Sequence, residues 1–97
     1  FLKQAQQMQT KMAKLQDELA TRTVEAKSGG GAVTVTATGA QLLQSININK
    51  EVVDPADLEM LQDLILAAVN ESLKKAKEMS EQEMQKITGG MSMPGLF

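Results

Sequence analysis

The side chains able to do chemistry in this chain are few in kind. Its 97 residues hold 10 Lys and Arg, 12 Asp and Glu, no His and no Cys. Without imidazole or thiolate the common transition-metal sites are missing. No serine can pair with a histidine base. Only a carboxylate site for calcium or magnesium is left, and Glu59 and Asp63 stand one helical turn apart. Near a helix start such a pair supports the positive end of the helix dipole, which is the reading adopted here. Gly29-Gly30-Gly31 resembles a phosphate loop only superficially. It lies between two strand-like runs, opens no helix and is followed by no Lys-Ser or Lys-Thr pair. Neither catalysis nor a cofactor is expected.

What remains is charge set out in blocks. Residues 1–27 hold Lys3, Lys11, Lys14, Arg22 and Lys27 against Asp17, Glu18 and Glu25. Residues 51–71 hold Glu51, Asp54, Asp57, Glu59, Asp63 and Glu71 with no base. Lys74, Lys75 and Lys77 then fall within four positions. The net charge of −2 argues mildly against nucleic acid, and this polarised distribution softens the objection.

The elements that must position these charges follow from periodicity. Ala5, Met8, Met12, Leu15 and Leu19 are spaced 3, 4, 3, 4, an a/d heptad stripe that predicts a helix over residues 2–21. So narrow a stripe suits a partner helix better than a globular core. Val24 and Ala26 alternate with polar residues before Ser28-Gly29-Gly30-Gly31, and Val33, Val35 and Ala37 alternate with threonines after it. Two period-2 runs around a glycine cluster predict a β-hairpin. Gly39-Ala40 marks a second turn. A third strand is expected at about 42–49, with Ile46 and Ile48 opposed to Ser45, Asn47 and Asn49. One apolar and one polar face per strand predicts an antiparallel sheet covered on one side. Asp54 suits a helix N-cap and Pro55 the first helical position. A second helix is expected from there to about Ile87, with Leu58, Leu61, Ile65, Ala68, Val69, Leu73 and Ala76 on its apolar face. At roughly 45–50 Å it outruns a small sheet, so its second half must project or meet another helix. Gly89-Gly90 is expected to stop it.

The fold class is therefore α+β, in the order α-β-β-β-α. A single domain is expected over residues 1–88, with a mobile Gly/Pro-punctuated tail over 89–97. The two aromatics, Phe1 and Phe97, stand at the ends. The interior is then Leu, Ile, Val, Met and Ala, a thin core that a second copy would complete. The expected core and dimer contacts are Met8, Met12, Leu15, Val33, Val35, Ile46, Ile48, Leu61 and Ile65. The chain opens on Phe1 rather than Met, so its natural N-terminus is expected to lie upstream.

Several segments in order resemble the YbaB/EbfC family of bacterial nucleoid-associated proteins. Lys3 to Met12 is similar to the family's opening helix. Gly29 to Thr38 with Gly39-Ala40 resembles its glycine turn, Val/Thr strand and second turn. Glu59-Met60-Leu61-Gln62-Asp63-Leu64 and Ala67-Ala68-Val69-Asn70 resemble its second-helix motif, with Gln62 where an acidic residue is usual. Thr88-Gly89-Gly90 and Pro94-Gly95-Leu96 resemble its tail. The segment Lys50 to Asp57 departs, since Asn49 stands where the family usually has an aspartate. The resemblance implies a homodimer whose helices extend as arms that straddle duplex DNA. It implies phosphate neutralisation by Lys3, Lys11, Lys14, Lys74 and Lys75, with Lys77 in the same basic patch. With no paired arginine and no aromatic platform, base readout is expected to be weak.

The expected partners are double-stranded DNA and a second copy, in the cytoplasm at the nucleoid. No membrane and no small-molecule substrate are expected, since no apolar run approaches the ~20 residues of a span and nothing reads as a signal peptide. Two other readings fit the residues. One is a prefoldin-like holdase gripping unfolded chains through Met8, Met12, Met79 and Met84. The other is an adaptor that binds a protein through the acidic start of the second helix.

Overall fold

The computed structural model describes residues 2–88. Phe1 and residues 89–97, with the expected Gly89-Gly90 stop and tail, lie outside the described residues. Helix α1 spans Leu2–Thr21. Strands β1 (Thr23–Ser28), β2 (Val33–Thr38) and β3 (Leu43–Ile48) follow, then a short 3-10 turn at Lys50–Val52 and helix α2 (Leu58–Thr88). The three strands form one antiparallel sheet in the order β1-β2-β3.

The hairpin needs its glycines. Gly29, Gly30 and Gly31 all have positive φ, at 60°, 69° and 98°, where a side chain is disfavoured. The Ser28 carbonyl accepts from the Gly31 amide, and the Ser28 hydroxyl donates to the Leu64 carbonyl at 2.6 Å. The turn is thus tied to α2 as well as to itself.

Register decides which face is apolar. Ala26 pairs with Val35, which pairs with Ile46; Val33 pairs with Ile48, and Val24 with Ala37. A register shift next to Ala37 sets Thr36 opposite Ser45 but Ala37 opposite Leu43. Strict alternation from Ile46 would put Gln44 on the inner face. The bulge removes Gln44 from the count and brings Leu43 round instead.

Helix α2 covers this face over β1 and β2. Ala68, Ser72 and Ala76 are fully buried against Ala26, Val33, Val35 and Ala37, flanked by Leu61, Leu64, Ile65 and Val69. Ser72 donates to the Val69 carbonyl at 2.8 Å, so its buried hydroxyl is satisfied. The distal half of α2 meets α1, where Leu15 and Leu19 are buried and Met8 and Met12 half-buried. Ala5 and the rest of the first turns stay exposed. The result is elongated, 64 × 23 × 17 Å.

Ile46 and Ile48 lie on the apolar face but are 45% and 38% exposed, because α2 packs chiefly on β1 and β2. Of the two roles expected for them, core or dimer contact, burial within one chain is not seen. One expectation is corrected. Helix α2 starts at Leu58, not at Pro55. Asp54 instead closes a turn, accepting from the Ala56 amide at 2.9 Å, and Asp57 caps the helix by accepting from Met60 at 3.2 Å. Pro55 sits at the second position of that turn, where its fixed φ fits equally well. Strand β3 lies within a residue of the expected 42–49 at each end. Asn49 just beyond it is still extended, donating its amide to the Ala32 carbonyl while its side chain accepts from the Glu51 amide.

The end of helix α1 is tied to the sheet at Gly39. The Gly39 amide donates to the carbonyls of Leu19 and Arg22, both at 2.9 Å. A Cβ at Gly39 would stand 2.8 Å from the Leu19 carbonyl oxygen, closer than backbone atoms tolerate. Gly39→Ala should therefore push α1 off the sheet and cost about 1–3 kcal/mol by urea denaturation. Gly30→Ala, whose Cβ would meet nothing, should cost only the roughly 1 kcal/mol of its strained φ.

Candidate nucleic-acid interface

The charged side chains ride on the two-helix arm. Helix α1 runs antiparallel to the distal half of α2, so Leu19 lies near Ser80 and Lys11 near Ile87. Lys3 and Lys11 border an open trough on α1 with Gln6, Gln7 and Thr10. Lys11 and Lys14 meet Lys86 across an interhelical cleft of about 280 Å³, which Glu18, Glu83 and Leu15 also line. Lys77 is on the other side of the helix pair, in a groove of about 510 Å³ with Gln16, Leu19, Gly39 and Met84. Lys74 is exposed at the base of the arm. Lys75 is turned back over the sheet, where its ammonium donates to the Glu25 carbonyl at 3.0 Å on the edge of β1.

The structure thus brings Lys11 and Lys14 together and spreads the others along the arm. Among the described residues, no carboxylate pairs with Lys3, Lys11, Lys14, Lys74, Lys75 or Lys77. The ion pairs join Arg22 to Glu83 at 3.2 Å, Lys86 to Glu83 at 3.0 Å, and Lys27 to Glu25 at 3.7 Å. Sequence reasoning missed the first two. The Glu83–Lys86 spacing of three was legible as a helical pair. Arg22 carries no such signal, because its contact depends on how α1 packs on α2.

The carboxylate of Glu83 is the electrostatic centre of this arm. The hydrogen bond from Lys86, then that from Arg22, hold its pKa below the ordinary value of 4.5. No group of three or more metal-binding side chains comes together among the described residues. Glu59 and Asp63 are both exposed on the first turns of α2. Nor is any described helix long and apolar enough to cross a membrane.

A second surface lies at the sheet end. Leu64 approaches the hairpin at Gly29 and Lys75 reaches β1, so one flank of α2 faces β1. At 100° per residue, Leu58, Leu66 and Val69 fall on the opposite flank, toward β3. Leu58 and Leu66 are 53% and 59% exposed, and Leu43, Ile46 and Ile48 are exposed beside them on β3. This makes a trough of large apolar side chains uncovered by the chain itself.

A sequence model of the YbaB/EbfC DNA-binding family matches residues 1–91. The chain belongs to that family. It is 62% identical over 98 residues to a nucleoid-associated protein of Acetivibrio thermocellus, covering all of this chain and 87% of the relative. It is 57% identical to a nucleoid-associated protein of Pelotomaculum thermopropionicum, covering all of this chain and 92% of that one. The fold resembles the crystal structure of an uncharacterised protein from Helicobacter pylori, with a TM-score of 0.77 at 24% identity over 88% of this chain and 89% of the other. At that identity the likeness bears on fold alone. In this YbaB/EbfC member the α-β-β-β-α chain thus shares its overall fold with a distant neighbour.

Because the folded-state pKa of Glu83 is depressed, its contribution to stability is present above the ordinary carboxylate value. It is lost as pH falls from about 4.5 through the lower folded value. Thermal midpoints measured between about pH 6 and pH 3 should fall more steeply for the wild type than for Glu83→Gln, in which this titration is absent.

Proposed function

We propose that the chain is a nucleoid-associated protein that binds duplex DNA as a homodimer through its helical arms, with little sequence preference. The carrying observation is the set of exposed lysines along the arm with no carboxylate partner among the described residues. Lys14, Lys74 and Lys77 have acids three or four positions away, at Asp17, Glu18, Glu71, Glu78 and Glu81, where a helix can form a pair. None of these comes within ion-pair distance, so Lys3, Lys11, Lys14, Lys74 and Lys77 are free of ion pairs among the described residues and available to phosphate. The names of the relatives and of the family support the same reading.

Lysines act on DNA as point charges. Each phosphate they neutralise releases condensed counterions, so affinity falls with salt. They do not fix register against a base edge as a paired arginine would. The lone arginine, Arg22, is held by Glu83. This supports contacts to backbone phosphate rather than readout of sequence.

The apolar trough supports the dimer. A chain this small seldom leaves Leu43, Ile46, Ile48, Leu58 and Leu66 all open to water. A second copy, related by a twofold axis, would cover the trough with the same surface. It would also place two arms on one assembly and double the phosphate contacts. The holdase reading gains nothing comparable, since Met8, Met12, Met79 and Met84 are half-buried in helix packing rather than presented as a grip.

Four to eight phosphate contacts per dimer should give a slope of log K against log salt of about −4 to −7 in duplex shift assays. Lys74→Ala combined with Lys77→Ala should weaken binding to unrelated duplexes alike and flatten that slope by about two to four units. Unchanged affinity and slope would remove these two lysines from the interface. Absence of duplex binding at low salt would end the DNA reading.

Dimerisation has its own test. Ile46→Asp with Ile48→Asp should yield a folded monomer in sedimentation, because both side chains already face water within one chain. Val35→Asp should unfold the protein, since it buries an unpaired carboxylate at a cost of several kcal/mol. A double variant that stays dimeric would show that the trough is not the contact.

A further inference from the structure

The cleft between α1 and α2 combines an excess of cations with an anion already in place. Lys11 and Lys14 enter from α1 and Lys86 from α2, while Glu83 stands among them. Arg22 reaches the same carboxylate oxygen, Oε1, that Lys86 holds. Three cations and two carboxylates, Glu83 and Glu18, thus line this space, and a fourth cation, Arg22, reaches Glu83 from beside it. Lys11 and Lys14 have no carboxylate of their own within ion-pair distance among the described residues.

We propose that this cleft is a binding site for one backbone phosphate of DNA, and that Glu83 is its built-in competitor. In the free protein the Glu83 carboxylate takes the place of the phosphate, accepting from Lys86 at 3.0 Å and Arg22 at 3.2 Å. A phosphate seated between Lys11 and Lys14 offers the same two donors a more strongly charged acceptor. Arg22 and Lys86 then change partner, and Glu83 swings out to water. Its side chain is only 20% exposed in the free arm, whereas those of Arg22 and Lys86 are 48% and 72% exposed. The two cations can therefore turn outward without unpacking the helices. Arg22 and Lys86 become contact residues, and Glu83 limits affinity. The geometry also explains why two cations are neutralised beside two that are not.

This inference rests on DNA binding by the arms, and its test separates the two. Duplex affinity is measured on the full chain across several chloride concentrations for wild type, Glu83→Gln and Asp63→Asn. Asp63 is an exposed acid on the same helix, outside the cleft and roughly 16 Å along the axis from Lys74, so its replacement makes the same change in net charge away from the proposed contacts. Glu83→Gln should bind roughly three- to tenfold more tightly and steepen the salt slope by about one unit per copy. Asp63→Asn should move affinity by less than about twofold. Adding Lys11→Ala and Lys14→Ala to Glu83→Gln should abolish the gain. If Glu83→Gln loses helix content, Lys11→Ala with Lys14→Ala in the wild type decides instead, since both are exposed. That variant should bind several-fold more weakly with a flatter slope.

Replacing chloride by inorganic phosphate at equal ionic strength distinguishes a DNA phosphate site from a site for the free anion. Competition only at tens of millimolar fits a duplex site, and competition at micromolar phosphate overturns it. Equal gains from Glu83→Gln and Asp63→Asn, or unchanged binding by the two-lysine variant, overturn the cleft while duplex binding itself stands. No duplex binding by the wild type overturns both.

Discussion

The close approach of α2 to strands β1 and β2 is the constraint on which the rest of this molecule depends. It is made by small residues: Ala68, Ser72 and Ala76 on the helix against Ala26, Val33, Val35 and Ala37 on the sheet, all fully or almost fully buried. A leucine at any of the three helix positions would hold the elements apart, with the strain that overpacking brings. Ser72 is tolerated because its hydroxyl bonds within the helix. The same choice makes the core thin. It buries no aromatic side chain among the described residues and reaches only the proximal half of α2.

The distal half of α2 and nearly all of α1 must then stabilise each other. They do so through a short apolar seam, with Leu15 and Leu19 buried and Met8, Met12 and Met84 half-buried, and through Arg22, Glu83 and Lys86. Exposed ion pairs are each worth a fraction of a kcal/mol. Stability therefore declines along the arm, from the double hydrogen bond at Gly39 to first turns of α1 that bury nothing. A binding surface placed there can adjust its shape without disturbing the sheet.

The sequence was most legible where periodicity governs. The heptad of α1 and the alternation of β1 and β2 predicted their elements within a residue or two. It was least legible where one element must be laid on another. Ile46 and Ile48 obey the same alternation as Val33 and Val35, so pattern alone could not separate core positions from dimer contacts. Only the position of α2 over β1 and β2 shows that β3 is left outside. Asp54-Pro55-Ala56-Asp57 misled for a different reason. Both aspartates and the proline suit a helix start and a turn equally, and a capping aspartate at 57 leaves Asp54 for the turn. Lysine positions were legible as a patch but not as a shape. Nothing local tells that Lys75 folds back to a strand carbonyl, or that Lys77 and Lys14 lie on opposite sides of the helix pair.

The geometry also answers the objection raised by a net charge of −2. Glu51, Asp54, Asp57, Glu59 and Asp63 cluster at the sheet end, where α2 begins. Lys86 lies roughly 40 Å further along that helix, beside Lys11 and Lys14. At physiological salt a charge is felt over only about 8 Å, whereas the molecule is 64 Å long. A phosphate near the arm therefore responds to the arm's own charges, where Lys3, Lys11, Lys14, Arg22, Lys74, Lys75, Lys77 and Lys86 outnumber Asp17, Glu18, Glu78, Glu81 and Glu83, and hardly at all to the acidic end. Total charge is an average over regions that never act together. The polarity has a use as well. The acidic end repels a polyanion from the apolar trough, so the surface suited to a second copy and the surface suited to phosphate do not compete. Each can be occupied while the other is, as the proposed two-armed assembly on one duplex requires.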